Sequence, residues 1–158
     1  MPKDTPSMAK NKIRRSLLAI LDPHPSASEV EALWRYFECR CAYCGVVIAR
    51  ESRTGHLDHV IASTSGGGNG IHNCVLSCAR CNGDEKREED WRNFLDRKAE
   101  SAQVAAVRAE LIESWLSRAP AATLSPEAER RALAIIADAI ANYEEAVVKV
   151  RGLRHVGA

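Results

Sequence analysis

The sequence predicts an α+β fold that is mostly helical, with a small cysteine-rich module between N-terminal helices and a C-terminal helical extension. Apolar residues recur at helical spacing on both sides of a central stretch. That stretch instead concentrates cysteine, glycine and histidine and holds only short β-prone runs. We therefore divide the chain into a flexible arm (1–10), N-terminal helices (11–38), the central module (39–99) and the extension (100–158).

Composition indicates an ordinary globular protein. Hydrophobic residues make up 46% of the 158 residues and charged residues 27%. No apolar run approaches the ~20 residues needed to span a bilayer, and the N-terminal region lacks the apolar stretch of a secretory signal. The net charge of +1 neither favours nor excludes nucleic acid as a partner. We expect a cytoplasmic protein without a membrane partner, in which paired cysteines bind metal rather than form disulfides.

Two short helices are predicted before the module. The first ends at Asp22, because the residue before a proline is pushed out of the helical conformation. The second is expected to begin at Ser28, with Glu31 three residues later completing a capping box. Both helices would turn an apolar face towards a core: Ile13, Leu17, Leu21, Leu33 and Phe37.

The segment after the module is predicted to be entirely helical. Two candidate helices run from about Arg87 to Ala99 and from Ser101 to Arg118. Ala119-Pro120 interrupts the pattern. Ser125 followed by Pro126 is typical of an N-cap and a first helical position, and the helix that they open would reach about Val150.

Two β-prone runs predict a hairpin inside the module. They are Val46–Ile48 and Leu57–Ile61, and the polar stretch Arg50–Gly55 would connect them. Ser63–Gly70 contains four glycines and is predicted to be a loop. This loop could approach a phosphate group closely, since glycine permits close approach, or could serve only as a flexible connection.

Two CxxC pairs predict a metal site. Cys41 and Cys44 form the first pair, and Cys78 and Cys81 form the second after 33 intervening residues. Each two-residue gap lets a tight turn aim both sulfurs at one point, and four thiolates suit one tetrahedral Zn²⁺ with no open coordination position. The zinc would therefore be structural; buried thiols without metal are the alternative. Two further cysteines are interpreted as small core residues: Cys39 and Cys74.

Polar residues follow a fixed order around these pairs. The chain reads CxxCG, then Asp58-His59-Val60, a glycine loop, Asn73, and CxxC followed by Asn82. This order resembles that of HNH endonucleases of the zinc-bearing kind, over about Cys41 to Lys86. The resemblance implies a ββα-metal, treble-clef-like module that hydrolyses DNA phosphodiester bonds and leaves 5′-phosphate and 3′-hydroxyl ends.

The residue types suit this chemistry. Hydrolysis needs an activated water, and a neutral histidine can take its proton near pH 7. A hard divalent cation on oxygen ligands can neutralise the phosphate and the leaving oxygen. The resemblance assigns the general base to His59, the ion ligands to Asp58 and Asn82, and the central asparagine to Asn73. The chain is then an HNN variant, and asparagine at the third position suits Mg²⁺ or Mn²⁺.

Two geometric expectations accompany these roles. Asn73 is expected to orient the imidazole, because its side-chain amide or its backbone carbonyl could accept the proton on the other ring nitrogen. Adjacent strand residues point to opposite faces. Asp58 and His59 can therefore both reach one site only if the backbone leaves regular β geometry there, as the resemblance implies.

Partners and alternatives complete the prediction. Candidate contacts to nucleic-acid phosphates are Arg53, Arg80, Lys86 and Arg87. The extension is not strongly basic, so we expect it to pack on the module or to bind a partner protein or a second copy, rather than to be the main DNA-binding surface. One alternative is a non-catalytic zinc module that binds nucleic acid or protein. Another is a nuclease subunit whose extension holds a larger complex together.

Overall fold

The computed structural model describes residues 4–62, 65–120 and 124–153. The expectations for the first three residues of the arm (1–3), for Ser63 and for the end of the extension (154–158) lie outside these residues. The chain divides into two compact units, one with the first and last helices and the other with everything between them. The elements are α1 (Pro6–Leu21), α2 (Ala27–Tyr36), β1 (Gly55–His59), β2 (Cys74–Cys78), a π-helical segment (Arg80–Lys86), α3 (Trp91–Lys98), α4 (Ala102–Leu116) and α5 (Pro126–Leu153).

These helices and the two-stranded sheet confirm the predicted fold class, which is α+β and mostly helical. None of the described helices is both long and apolar enough to cross a membrane.

The first unit consists of α1 packed against α5. Thr5 caps α1 by accepting a hydrogen bond from the Met8 amide at 3.2 Å. Because this cap precedes a proline that fits the first turn of a helix, the helix begins at Pro6, and the second half of the predicted flexible arm is helical. Ser125 accepts a hydrogen bond from the Ala128 amide at the start of α5, as expected from the sequence.

The second unit begins with α2, whose cap differs from the prediction. Ser26, not Ser28, is the N-cap, and Glu29 completes the capping box by binding the Ser26 amide at 2.7 Å. The sequence offers two overlapping Ser-x-x-Glu patterns, two residues apart. The earlier pattern forms the cap, and this leaves Glu31 free to pair with Arg50.

The predicted hairpin has the wrong partner strand. β1 pairs with β2 in an antiparallel register from Gly55↔Cys78 to His59↔Cys74. Val47 forms only an isolated bridge with Arg40, which closes the turn around the first cysteine pair. β2 carried no alternating pattern in the sequence, because four of its five residues are buried, on both faces of the strand.

Helices α2, α3 and α4 surround this hairpin and form one core with it. The boundaries predicted at residues 38 and 99 therefore fall inside the second unit. Trp115 of α4 reaches the hairpin directly: its indole Nε1 donates to the carbonyl oxygens of Ile71 at 3.2 Å and Cys74 at 3.0 Å. The α4 helix thereby holds the turn that leads into β2.

Candidate functional site

Four cysteines converge at the base of the hairpin. The sulfur atoms of Cys41, Cys44, Cys78 and Cys81 all lie within 4.8 Å of one another. A tetrahedral zinc ion with Zn–S bonds of about 2.3 Å places its sulfurs about 3.8 Å apart, and the Cys44 and Cys78 sulfurs are 3.8 Å apart. Gly45 turns the chain after the first pair with φ +72°. The four residues could hold one metal ion, and their spacing fits zinc.

Electrostatics within the cluster favours a cation. A hydrogen bond from Cys81 lowers the pKa of Cys41 to about 4. Burial raises the pKa of Cys44 to about 11. The hydrogen bond to Cys41, together with burial, raises the pKa of Cys81. Several thiolates at this separation repel one another, and a bound cation removes that repulsion.

Asp58 is a residue of β1 and is only 5% exposed. The Tyr43 hydroxyl donates to Asp58 Oδ2 at 2.6 Å, and the Lys86 ammonium lies 3.0 Å from the same oxygen. No described residue donates to Oδ1. Burial raises the pKa of Asp58, while the hydrogen bond from Tyr43 and the charge on Lys86 act in the opposite direction. Among the described residues, Oδ2 thus has two partners and Oδ1 has none.

Each of these two contacts comes from a segment that also carries a cysteine of the cluster. Tyr43 lies between Cys41 and Cys44, and Lys86 ends the π-helical segment that contains Cys81. The metal cluster and the Asp58 carboxylate therefore depend on the same two turns. Sequence reasoning did not single out Tyr43, although an aromatic residue with a hydroxyl inside a CxxC turn was a visible signal.

Lys86 does not occupy the surface position that was expected of it. Its side chain is 2% exposed, and its ammonium also donates to the His59 carbonyl oxygen at 3.0 Å. The ion pair with Asp58 draws this lysine inward, so it is not placed to contact a phosphate. The other three candidate contacts, Arg53, Arg80 and Arg87, are exposed. Of these, Arg80 pairs with Glu85 at 2.6 Å.

His59 is the last residue of β1 and is half-buried. Its ring makes no hydrogen bond with any residue that the structure describes. The register continues without a break through Asp58↔Val75 and His59↔Cys74. The paired register thus extends to His59, and the expected departure from regular β geometry begins only at Val60, after both residues.

Asn73 binds the loop backbone rather than the imidazole. Its Oδ1 accepts from the Ile61 amide at 3.0 Å, and its Nδ2 donates to the carbonyl oxygens of Ile61 at 3.0 Å and Gly68 at 2.8 Å. The Asn73 carbonyl oxygen accepts from the Val60 amide at 2.8 Å. The expected bond from the imidazole is thus replaced by four bonds, three to the chain directly after His59 and one to Gly68 in the glycine loop.

The glycine loop packs closely against this clamp. A Cβ at Gly67 would overlap the Ile61 carbonyl oxygen and lie 2.8 Å from Asn73 Nδ2. Close backbone approach within the protein is therefore one reason for a glycine at this position. Asn82 is half-buried in the π-helical segment, and its side chain makes no hydrogen bond with the described part of the chain.

Comparison with known proteins agrees with these features. Residues 41–88 match the family model described as HNH endonuclease. A similar protein is the "SPbeta prophage-derived putative HNH endonuclease YoqL" of Bacillus subtilis (strain 168), which is 24% identical over 128 residues. The alignment covers 69% of this chain and 51% of that protein, so this chain spans about half the length of the curated relative. The resemblance drawn from the motifs is confirmed over residues 41–88, which match the HNH endonuclease family model.

Proposed function

We propose that this chain is a metal-dependent endonuclease that hydrolyses phosphodiester bonds of DNA, with a structural zinc ion on Cys41, Cys44, Cys78 and Cys81. The observation that carries the proposal is the position of His59. Its half-exposed ring has no hydrogen-bond partner among the described residues and stands on a hairpin that the cysteine cluster braces. A histidine held in this way is available to accept a proton.

His59 acts in this proposal as the general base. Histidine changes charge near neutral pH, so an imidazole nitrogen can take a proton from a water that attacks the phosphorus atom. The His59 carbonyl oxygen is fixed by Lys86, and the residues that follow are fixed by Asn73. Asn73 is thus a positioning residue, which keeps the end of β1 and the loop after it in place.

Asp58 and Asn82 would hold a divalent ion. The fit rests on their oxygen donors: Asp58 Oδ1 and the Asn82 side chain have no hydrogen-bond partner among the described residues, and carboxylate and amide oxygens suit Mg²⁺ or Mn²⁺. Bound there, the ion would supply charge neutralisation at the phosphate and at the leaving oxygen. Arg53, Arg80 and Arg87 remain candidate phosphate contacts.

A non-catalytic zinc module is not favoured, because the family match contains the Asp58-His59 motif and Asn82 as well as the cysteines. Recruitment of a partner protein or of a second copy through the C-terminal helices, and a cytoplasmic location, remain predictions.

The proposal is tested by plasmid cleavage with Mg²⁺, Mn²⁺ or EDTA. The wild type is compared with His59→Ala and with a matched control, His24→Ala, which removes an exposed imidazole between α1 and α2. All three proteins are first shown to be folded and to contain one zinc. We expect metal-dependent cleavage that falls at least ~100-fold in His59→Ala only. Equal cleavage by all three would reject His59 as the base, and no cleavage by the wild type would reject an autonomous nuclease.

A further inference from the structure

The buried ammonium group of Lys86 has three neighbours in the second unit. Its ammonium lies 3.0 Å from Asp58 Oδ2, donates to the His59 carbonyl oxygen at 3.0 Å, and stands 5.8 Å from the centre of the Tyr43 ring. Two oxygens and an aromatic ring together form a site for a cation. Lys149, by contrast, pairs with Glu145 on an exposed face of α5.

The Lys86 ammonium pairs with Asp58, and the proposed function assigns the same carboxylate as a ligand of the divalent ion. A carboxylate shared by two cations binds each of them more weakly than it would bind either alone, because the cations repel each other. This repulsion is strong here, since both charges would lie within a few ångströms of one buried group. Salt screens such an interaction less than it screens a surface pair.

We propose that Lys86 holds the Asp58 carboxylate in position for the divalent ion, and that the positive charge of Lys86 weakens the binding of that ion. The inference rests on the proposed function. Together with Tyr43, Lys86 occupies Oδ2 and leaves Oδ1 as the only ligand atom of Asp58. The ammonium also ties the end of the π-helical segment to β1 through the His59 carbonyl oxygen. Lys86 is therefore a positioning residue that acts through Asp58.

Mn²⁺ binding to the zinc-loaded full chain tests this inference without relying on activity. Free Mn²⁺ is measured by electron paramagnetic resonance as the protein is titrated. We expect Lys86→Met to bind Mn²⁺ at least ~10-fold more tightly than the wild type, because one nearby positive charge is removed. Lys86→Arg keeps the charge and should stay within about twofold of the wild type. Lys149→Met, which removes a lysine charge in the other unit, should bind as the wild type does.

Two further measurements keep the inference open to refutation if Lys86→Met does not fold. Lys86→Gln keeps a hydrogen-bond donor on a side chain one bond shorter, but it carries no charge, so it should also bind Mn²⁺ more tightly. In the wild type, substoichiometric Mn²⁺ should broaden the side-chain NMR signals of Lys86 and leave those of Lys149 sharp. Unchanged or weaker binding in a folded uncharged variant, or a sharp Lys86 signal at saturating Mn²⁺, would overturn the inference.

Plasmid cleavage, measured in the same preparations, distinguishes a failure of the role of Lys86 from a failure of the proposed nuclease function. A wild type that cleaves DNA and binds Mn²⁺, combined with folded variants of unchanged affinity, refutes the role of Lys86 alone. A wild type that neither binds Mn²⁺ nor cleaves DNA refutes the proposed function itself.

Discussion

The Tyr43 hydroxyl donates to Asp58 Oδ2 at 2.6 Å from within the first cysteine pair. The Tyr43 ring meets Phe94 edge-on, with 5.0 Å between ring centres, and it is fully buried. This one side chain therefore connects the metal cluster, the carboxylate and the α3 helix. A buried hydrogen bond to a charged group contributes more than an exposed one, because bulk water does not replace the lost donor there.

Tyr43→Phe should destabilise the protein by about 1–3 kcal/mol, since it removes the donor and keeps the ring. Chemical denaturation measures the change. The matched control is Tyr36→Phe, whose hydroxyl donates to the Leu111 carbonyl oxygen at 2.9 Å in a more exposed position and should matter less. Equal losses in the two variants would mean that the bond to Asp58 contributes no more than an ordinary one.

Removal of zinc should unfold the second unit. Structural zinc sites contribute on the order of 10 kcal/mol to folding, and both turns that hold Asp58 belong to the cluster. We expect Cys78→Ser to lose bound zinc and to lose the cooperative thermal transition seen by circular dichroism. The control is Cys39→Ser, because Cys39 lies outside the cluster and is half-buried. Retention of one tightly bound zinc by Cys78→Ser would contradict the four-cysteine site.

The metal cluster could be predicted from the sequence because each pair of ligands lies within four consecutive residues, and each CxxC pair specifies its own turn. Which strands pair with each other depends on residues far apart in the chain. Val46–Ile48 has the composition of a strand, yet Val47 forms only an isolated bridge with Arg40 beside the first cysteine pair. Cys74–Cys78 is buried on both faces and so carries no alternating pattern.

The contacts of Lys86 and Asn73 could not be predicted for a related reason. A lysine in a polar stretch is normally solvated, and only the fold shows that Asp58 lies within reach of it. Asn73 was expected to face the imidazole, since motif order shows which residues share a site but not which atoms they bind. The bonds from Asn73 to Ile61 and Gly68 depend on the path of the loop.

Asn73→Ala should lower both stability and cleavage. It removes three side-chain hydrogen bonds to the loop, at an expected cost of about 2–4 kcal/mol. Asn73→Asp is the informative companion, because its carboxylate can still accept from the Ile61 amide but cannot donate to the two carbonyl oxygens. We expect Asp to retain part of the stability lost with Ala. A folded Asn73→Ala protein with undiminished cleavage would show that the loop clamp is not needed for the reaction.

Gly67→Ala should impair cleavage by displacing the loop after His59, without changing any proposed catalytic residue. The added methyl group would overlap the Ile61 carbonyl oxygen, so the chain after His59 must shift even though no proposed catalytic atom is changed. Gly70→Ala is the matched control, because a Cβ there meets nothing within 4 Å and the backbone φ is −52°. Plasmid cleavage and thermal melting are measured for both variants. We expect cleavage to fall about 10-fold or more in Gly67→Ala, since small misplacements of a general base are costly, and to be unchanged in Gly70→Ala. Parallel behaviour of the two alanine variants would instead indicate that the loop tolerates displacement and that His59 is positioned by β1 alone.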